Sequence, residues 1–182
     1  MLEEKGMTIN VSKTKVIVTS NKETTAKITM NGLTIEQVKS IKYLGTIIDK
    51  TGRYEEEINN RITSATKLYH SLGKGFINKK EISDKTKLTI YKTIYYVPTI
   101  LFGCETWVLT EKLRNRLQVM EMKYSRRVAN VTIMDKIRND KIRENFKIEN
   151  ISKYIEKSQL RWWGHLNRLN QNRPVRKYGK QR

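Results

Sequence analysis

Side chains that could carry out catalysis or bind a metal are few in this sequence and lie far apart. It has two histidines, His70 and His165, a single cysteine, Cys104, and four aspartates, no two of them adjacent. Two histidines and one thiol at such separations make a poor zinc site, which needs three or four ligands. Two-metal phosphoryl transfer needs clustered carboxylates that hold ions about 4 Å apart. We therefore predict that the chain has no metal site and no self-sufficient catalytic site.

A basic and aromatic segment near the C-terminus carries the strongest binding signal. On a helix that begins after Asn150, the apolar residues fall in one sector: Ile151, Ile155, Trp162 and Leu166. Four cations fall together on the opposite side: Lys153, Lys157, Arg161 and Arg168. The pattern predicts that the apolar sector packs on the protein while the basic sector contacts phosphates. A solvated face without a ligand is the alternative, and we favour phosphate contact because Glu156 is the only acidic neighbour.

The aromatic residues of this segment are open to two interpretations, core packing and base stacking. Trp162 lies among Ile and Leu at helical spacing, so we predict that it packs in the core. Trp163 lies at the edge of the apolar sector and is the better candidate for stacking on a base. We expect His165 to cap backbone or to touch phosphate, and Cys104 to be a small buried hydrophobic residue.

The charge of the chain indicates a polyanionic partner. Its 182 residues include 37 Lys and Arg against 18 Asp and Glu, which gives a net charge of +19. Residues 111–182 hold 20 of those basic and 7 of those acidic side chains, which is +13 of the total. Nucleic acid is therefore the first partner to consider and an anionic membrane surface the second. No apolar run approaches the roughly 20 residues that cross a bilayer, so we predict no membrane partner.

A mostly helical α+β fold would position these residues. Short β-branched segments predict three strands, over residues 15–20, 26–30 and 41–49. From Tyr54 onward the apolar spacing becomes helical, and Pro98 should bend the second helix. Candidate N-terminal caps mark four helix starts: Ser83, Thr110, Asn139 and Asn150. The sequence thus predicts a small N-terminal β unit, a three-helix bundle and a small basic helical unit.

Four segments resemble, in order and spacing, motifs in the C-terminal third of LINE-type (non-LTR) retrotransposon reverse transcriptases. Residues 6–15 (GMTINVSKTK) resemble palm motif D, and residues 42–45 (KYLG) resemble motif E, the hairpin that grips the primer end. Residues 101–107 (LFGCETW) resemble a thumb motif, and residues 160–168 (LRWWGHLNR) resemble the post-thumb Arg-Trp-x-Gly-His-x-x-Arg motif. The resemblance covers about residues 5–170.

The resemblance implies a domain organisation and roles for several residues. Residues 1–50 would be a palm remnant, 51–131 the thumb, 132–170 a basic helical unit and 171–182 a disordered basic tail. Lys13 would be the palm lysine near the leaving pyrophosphate. Three residues would touch the primer terminus: Tyr43, Leu44 and Gly45. The catalytic aspartates and their Mg²⁺ would belong to the parent enzyme, upstream of Met1.

We therefore expect a nucleic-acid-binding fragment of an RNA-directed DNA polymerase that is inactive alone. It would bind RNA or single-stranded DNA, and in the parent enzyme a primer–template duplex. The alternative is a small basic helical protein that acts through a protein partner. Salt dependence separates the two, because binding to phosphates weakens steeply as salt rises. A single cysteine permits no intrachain disulfide and indicates a reducing compartment, nuclear or cytoplasmic.

Overall fold

The computed structural model describes residues 9–20, 24–30, 32–170 and 173, and it shows an α+β fold in which helices dominate. The predicted α+β class with mostly helical structure is confirmed. Internal contacts divide the chain into two units, Met1–Glu57 and Ile58–Arg182. The tail predicted over residues 171–182 lies outside the described residues except for Arg173, as do the first three residues of the motif D-like segment.

Short strands make up the first unit: β1 (Lys15–Val16), β2 (Thr29–Met30), β3 (Leu33–Thr34), β4 (Glu36–Gln37), β5 (Ser40–Tyr43) and β6 (Thr46–Asp49). They form three separate pairs, β1 parallel to β4, β2 antiparallel to β3 and β5 antiparallel to β6. Among the described residues of this unit, Ile35 is the only apolar side chain that is fully buried. The unit therefore has little apolar core of its own.

The predicted single strand over residues 41–49 is wrong, because the chain reverses at Leu44 and Gly45 to form the β5–β6 hairpin. Both residues have positive φ angles, +47° and +86°, which is the geometry of two-residue turns that match the twist of hairpin strands. Glycine adopts this conformation freely, whereas leucine does so at an energetic cost. The buried carboxylate of Glu57 accepts a hydrogen bond from the Ile47 N–H at 2.7 Å and holds the hairpin at the start of the first helix.

Five α-helices follow: α1 (Glu55–Leu72), α2 (Asp84–Ile90), α3 (Glu111–Val128), α4 (Asn139–Phe146) and α5 (Ile151–Arg168). Two π-helical segments, Gly73–Ile77 and Tyr91–Ile100, continue α1 and α2, and Cys104–Thr106 is a 3₁₀ turn. The helices predicted as a separate basic unit, over residues 132–170, lie in the second unit with α2 and α3. Within the described residues, no helix combines the length and the apolar character needed to cross a membrane.

Side-chain caps explain where most of the helices begin. Three predicted caps accept a hydrogen bond from a backbone N–H of the first turn: Ser83, Thr110 and Asn150. The fourth prediction is wrong, because Asn139 is the first helical residue of α4 and Arg138 precedes it without a side-chain cap. The Asn139 Oδ1 atom instead accepts a hydrogen bond from Arg126 Nη2 at 2.6 Å. The Asn139 side chain, which the local sequence predicts to cap a helix, thus makes a tertiary hydrogen bond instead.

Pro98 lies inside the π-helical segment Tyr91–Ile100. Proline has no N–H to offer the carbonyl of Ile94, four residues earlier. The Thr99 hydroxyl donates to that carbonyl at 2.7 Å. The segment therefore remains helical through the proline, with a wider turn in place of the missing backbone bond.

Tyrosine rings fill the centre of the second unit. The Tyr124 ring lies 4.9 Å, centroid to centroid, from the rings of both Tyr91 and Tyr95, and all three side chains are buried. Two of the three hydroxyls find backbone partners, since Tyr95 donates to the Met120 carbonyl at 3.2 Å and Tyr124 to the Lys87 carbonyl at 3.1 Å. Removal from water raises the pKa of Tyr124 to about 12.

A buried ion pair joins α3, α4 and the start of α5. Arg143 Nε and Nη2 donate to the two carboxylate oxygens of Glu121 at 2.9 and 3.0 Å. The same carboxylate accepts the Ile151 N–H at 3.4 Å, at the first residue of α5. Both charged side chains are buried, so each depends on the other for the interactions that water would otherwise supply.

Candidate nucleic-acid interface

The N-terminal half of α5 is anchored in the second unit. Ile151 and Ile155 are fully buried, and α5 packs on α3 and on the 3₁₀ turn Cys104–Thr106. Gln159 Nε2 donates to the Trp107 carbonyl at 2.7 Å. These contacts fix the rotation of the helix about its axis, and with it the direction of every other side chain on α5.

The four cations predicted to contact phosphates are all exposed, and helical spacing places them on one side of α5. We call this set the basic face of α5: Lys153, Lys157, Arg161 and Arg168. Lys157 forms an ion pair with Glu149, which offsets part of its charge. The face as a whole therefore keeps a positive excess on the side away from the core.

The two arginines of the basic face of α5 lie along the helix surface. Arg161 donates to the Lys157 carbonyl at 3.4 Å and to the Ser158 hydroxyl at 3.3 Å. Arg168 Nη1 lies 3.5 Å from the position that a Cβ atom would take on Gly164. Neither of these contacts neutralises a charge, because the partners are a carbonyl, a hydroxyl and a glycine.

The prediction that Trp162 packs in the core is wrong. Its side chain remains 38% exposed, although it lies in the same helical sector as the buried Ile151 and Ile155. Gln159 is the most C-terminal residue of α5 with a hydrogen bond to another element, among those described. The apolar sector continues along the helix past this point, where the packing on α3 and the 3₁₀ turn no longer encloses it.

The other predicted contact residues on α5 are open to solvent. Trp163 is 63% exposed, so its indole ring is accessible, as the base-stacking interpretation requires. His165 is exposed, and its ring stacks on Trp162 with the centroids 5.5 Å apart and the planes 25° apart. The expectation that His165 caps backbone or touches phosphate stays a prediction.

Cys104 is buried against α5, and burial disfavours the reactive thiolate form. Burial raises the pKa of its thiol to about 11, against a smaller opposing effect of a hydrogen bond with Ser158. The prediction of a small buried hydrophobic residue is confirmed. Within the described residues, no group of three or more His, Cys, Asp or Glu side chains is arranged to hold a metal ion.

The sites predicted from the palm motifs lie in the first unit. Tyr43 and Leu44 occupy the tip of the β5–β6 hairpin and are 62% and 79% exposed, with Gly45 completing the turn. Lys13 is exposed in a turn that follows Asn10, whose backbone and side-chain oxygens both accept the Lys13 N–H at 3.2 Å. The first unit thus presents a hairpin tip and a lysine, each on a tight turn.

Sequence reasoning missed a groove beside α3. It encloses about 690 Å³ and has mainly apolar walls that include Tyr69, Val119 and Met122. We call it the α3 groove; three cations line it: Lys123, Arg126 and Arg127. The signal in the sequence was the run of basic residues at the end of α3, but the opposite wall comes from residues 131–133, whose position no local pattern predicts.

Comparisons with models of protein families, with curated proteins and with solved structures found no match to this chain.

Proposed function

We propose that this chain binds single-stranded nucleic acid, RNA or DNA, through the basic face of α5. The observation that carries the proposal is the exposure of all four cations on one side of a helix whose other side is anchored by Ile151 and Ile155. Because the anchored helix cannot turn over, its charge is presented outward without a rearrangement of the backbone, and the conformational cost of binding is limited to ordering the Lys and Arg side chains. Lysine and arginine bind phosphate whatever the base, so the binding has little sequence preference.

The four motif resemblances support descent from a LINE-type reverse transcriptase as part of the same proposal. Two solvent-exposed side chains at the hairpin tip, Tyr43 and Leu44, are available for the contact with a primer terminus that motif E implies. Lys13 would take the role of the palm lysine. No two of the four aspartates are adjacent in the sequence, and no group of three or more metal-ligating side chains is arranged around a metal site in the described part of the chain. The function proposed for this chain is therefore binding without polymerisation.

A second candidate is a basic helical protein that acts through a protein partner. The α3 groove favours it, because its volume and apolar walls are of the kind that accept side chains of another molecule. Exposed Val119 and Ile133 extend the apolar surface at its rim. Binding in this groove would depend on apolar burial and respond weakly to salt, whereas phosphate binding responds steeply.

The experiment compares two double variants that remove the same charge from different helices. Arg161→Gln with Arg168→Gln removes two cations from the basic face of α5. Lys85→Gln with Lys92→Gln is the matched control, since these two lysines are equally exposed and lie on α2 and the segment after it. Affinity for a fluorescent uridine oligomer is measured by anisotropy across a range of salt concentrations.

The arginine variant should bind more weakly at every salt concentration, and its slope of log affinity against log salt should be flatter by about 1.4, at about 0.7 per phosphate contact on a single strand. The lysine control should retain most of the wild-type slope. Equal losses of affinity in the two double variants would show that binding depends on net charge alone. Wild-type protein that shows no salt-dependent binding would contradict the proposed function and leave the protein-partner candidate.

A further inference from the structure

The last turns of α5 combine exposed aromatic rings with a purely cationic charge. Residues 157–182 contain eight Lys and Arg and no Asp or Glu. Two of the three tryptophans of the chain are adjacent here, and both are solvent-exposed. Large aromatic side chains are normally among the most buried on average, so two exposed tryptophans within a cationic segment require an explanation.

Trp162 differs from Trp163 in being held in place. The His165 ring lies three residues further along the helix and stacks nearly parallel to the Trp162 indole, with centroids 5.5 Å apart. Trp163 has no such ring partner among the described aromatic contacts, although it is the more exposed of the two. The Trp162–His165 pair is therefore an aromatic surface held by ring stacking, a contact that the described part of the chain does not give Trp163.

The pair adjoins Arg161, the residue of the basic face of α5 that is nearest to the apolar sector. At about 100° per residue, His165 projects about 40° from Arg161 around the helix axis, and Trp162 projects about 100° from it. A strand whose phosphates contact Arg161 can therefore reach the His165 ring and, beyond it, the Trp162 ring. Trp163 projects about 160° from Arg161 and about 80° from Lys153, at the opposite edge of the basic face of α5.

We infer that the Trp162–His165 pair is a stacking site for an unpaired base of the strand bound along the basic face of α5. This inference rests on the proposed function and supplies the physical basis of its preference for single strands over duplexes. Every base has a π face, so stacking on an aromatic ring is tolerant of sequence, and it is available only to bases that are not already stacked in a duplex. Phosphate contacts alone give no such preference.

The test compares Trp162→Leu with Trp163→Leu, a matched control at the neighbouring position. Leucine keeps apolar volume against the part of Trp162 that is covered and removes the aromatic face. Affinities are measured for a uridine oligomer and for an RNA duplex of the same length. Trp162→Leu should weaken binding to the single strand about ten-fold, the range expected for loss of one stacked base. Its affinity for the duplex should not change. The loss of single-strand affinity in Trp163→Leu, which removes the stacking candidate that the sequence favoured, should be clearly smaller than the loss in Trp162→Leu.

A second readout does not depend on how well Trp162→Leu folds. In a Trp163→Phe protein, Trp162 is the exposed tryptophan, because Trp107 is only 2% exposed. The uridine oligomer should quench the emission of this protein, and the duplex should quench it much less. Absence of quenching by a bound single strand would overturn the inference.

The outcomes separate this inference from the proposed function. Salt-dependent binding that is unaffected by a folded Trp162→Leu variant would refute the stacking site and leave the phosphate interface standing. A larger loss in Trp163→Leu than in Trp162→Leu would also refute the assignment to the pair. Absence of binding by the wild-type protein would overturn both proposals together.

Discussion

Breaking the buried ion pair between α3 and α4 should cost a large share of the stability of the second unit. Arg143→Met keeps much of the side-chain volume but leaves the Glu121 carboxylate, which is 0% exposed, without the two hydrogen bonds at 2.9 and 3.0 Å. Loss of one partner of a buried pair costs about 3–5 kcal/mol. At about 2–4 °C per kcal/mol for a chain of this size, the melting temperature should fall by roughly 6–20 °C.

Two further variants test whether the cost comes from the unpaired charge. Combining Arg143→Met with Glu121→Gln removes both charges and retains an oxygen for the Ile151 N–H, so the double variant should be more stable than Arg143→Met alone. Asp140→Asn is the control, because Asp140 also pairs with Arg143 but its side chain is 83% exposed. It should cost less than about 1 kcal/mol. Urea denaturation measures all three, and a double variant that is no more stable than Arg143→Met alone would refute the argument.

Three smaller predictions concern other parts of the chain. Gly164→Ala should stabilise the protein by about 0.5–1 kcal/mol in thermal unfolding, because glycine is unfavourable inside a helix. The new methyl group would contact only the end of the Arg168 side chain, at 3.5 Å. A loss of stability would show that the site is more crowded. Cys104 should react with a thiol reagent at neutral pH only after unfolding, since burial keeps its pKa near 11 and its thiolate scarce; rapid labelling of the native protein would contradict this. Amide hydrogen exchange should be faster over residues 15–48 than in the helices of the second unit, because Ile35 is the only fully buried apolar side chain among the described residues of that segment. Slower exchange over residues 15–48 than in the helices would contradict the low stability of the first unit.

The parts of the fold that sequence predicted are those governed by local chemistry. Ser83, Thr110 and Asn150 each cap a helix through a hydrogen bond within the same short segment, so residue type and spacing suffice. Asn139 failed as a cap because Arg126, from another helix, takes its side-chain oxygen. The prediction that Leu44 lies in a strand was wrong, because the residue type gives no indication that the φ angle of this leucine is positive.

The sequence predicted which residues form the candidate site, but only partly which of them are buried. Helical periodicity correctly placed the cations of the basic face of α5 on one exposed side. The same periodicity assigned Trp162 to the core, because a helical wheel assumes that the neighbouring elements extend along the whole helix. Packing on α3 and the 3₁₀ turn holds the first half of α5, and Trp162 lies beyond Gln159, where these contacts diminish. A local sequence pattern does not indicate how far the neighbouring elements extend along a helix. It also does not indicate which residues form the second wall of the α3 groove.

Photo-cross-linking tests the central claim most directly, because it locates the bound strand without altering the protein. A uridine oligomer that carries a photoactivatable base is bound at low salt, irradiated and digested, and the modified peptides are identified by mass spectrometry. The basic face of α5 and the rings beside it predict that modified residues concentrate within α5, with excess unlabelled single strand abolishing the signal. Cross-links that are competed equally well but lie only outside α5 would contradict the claim.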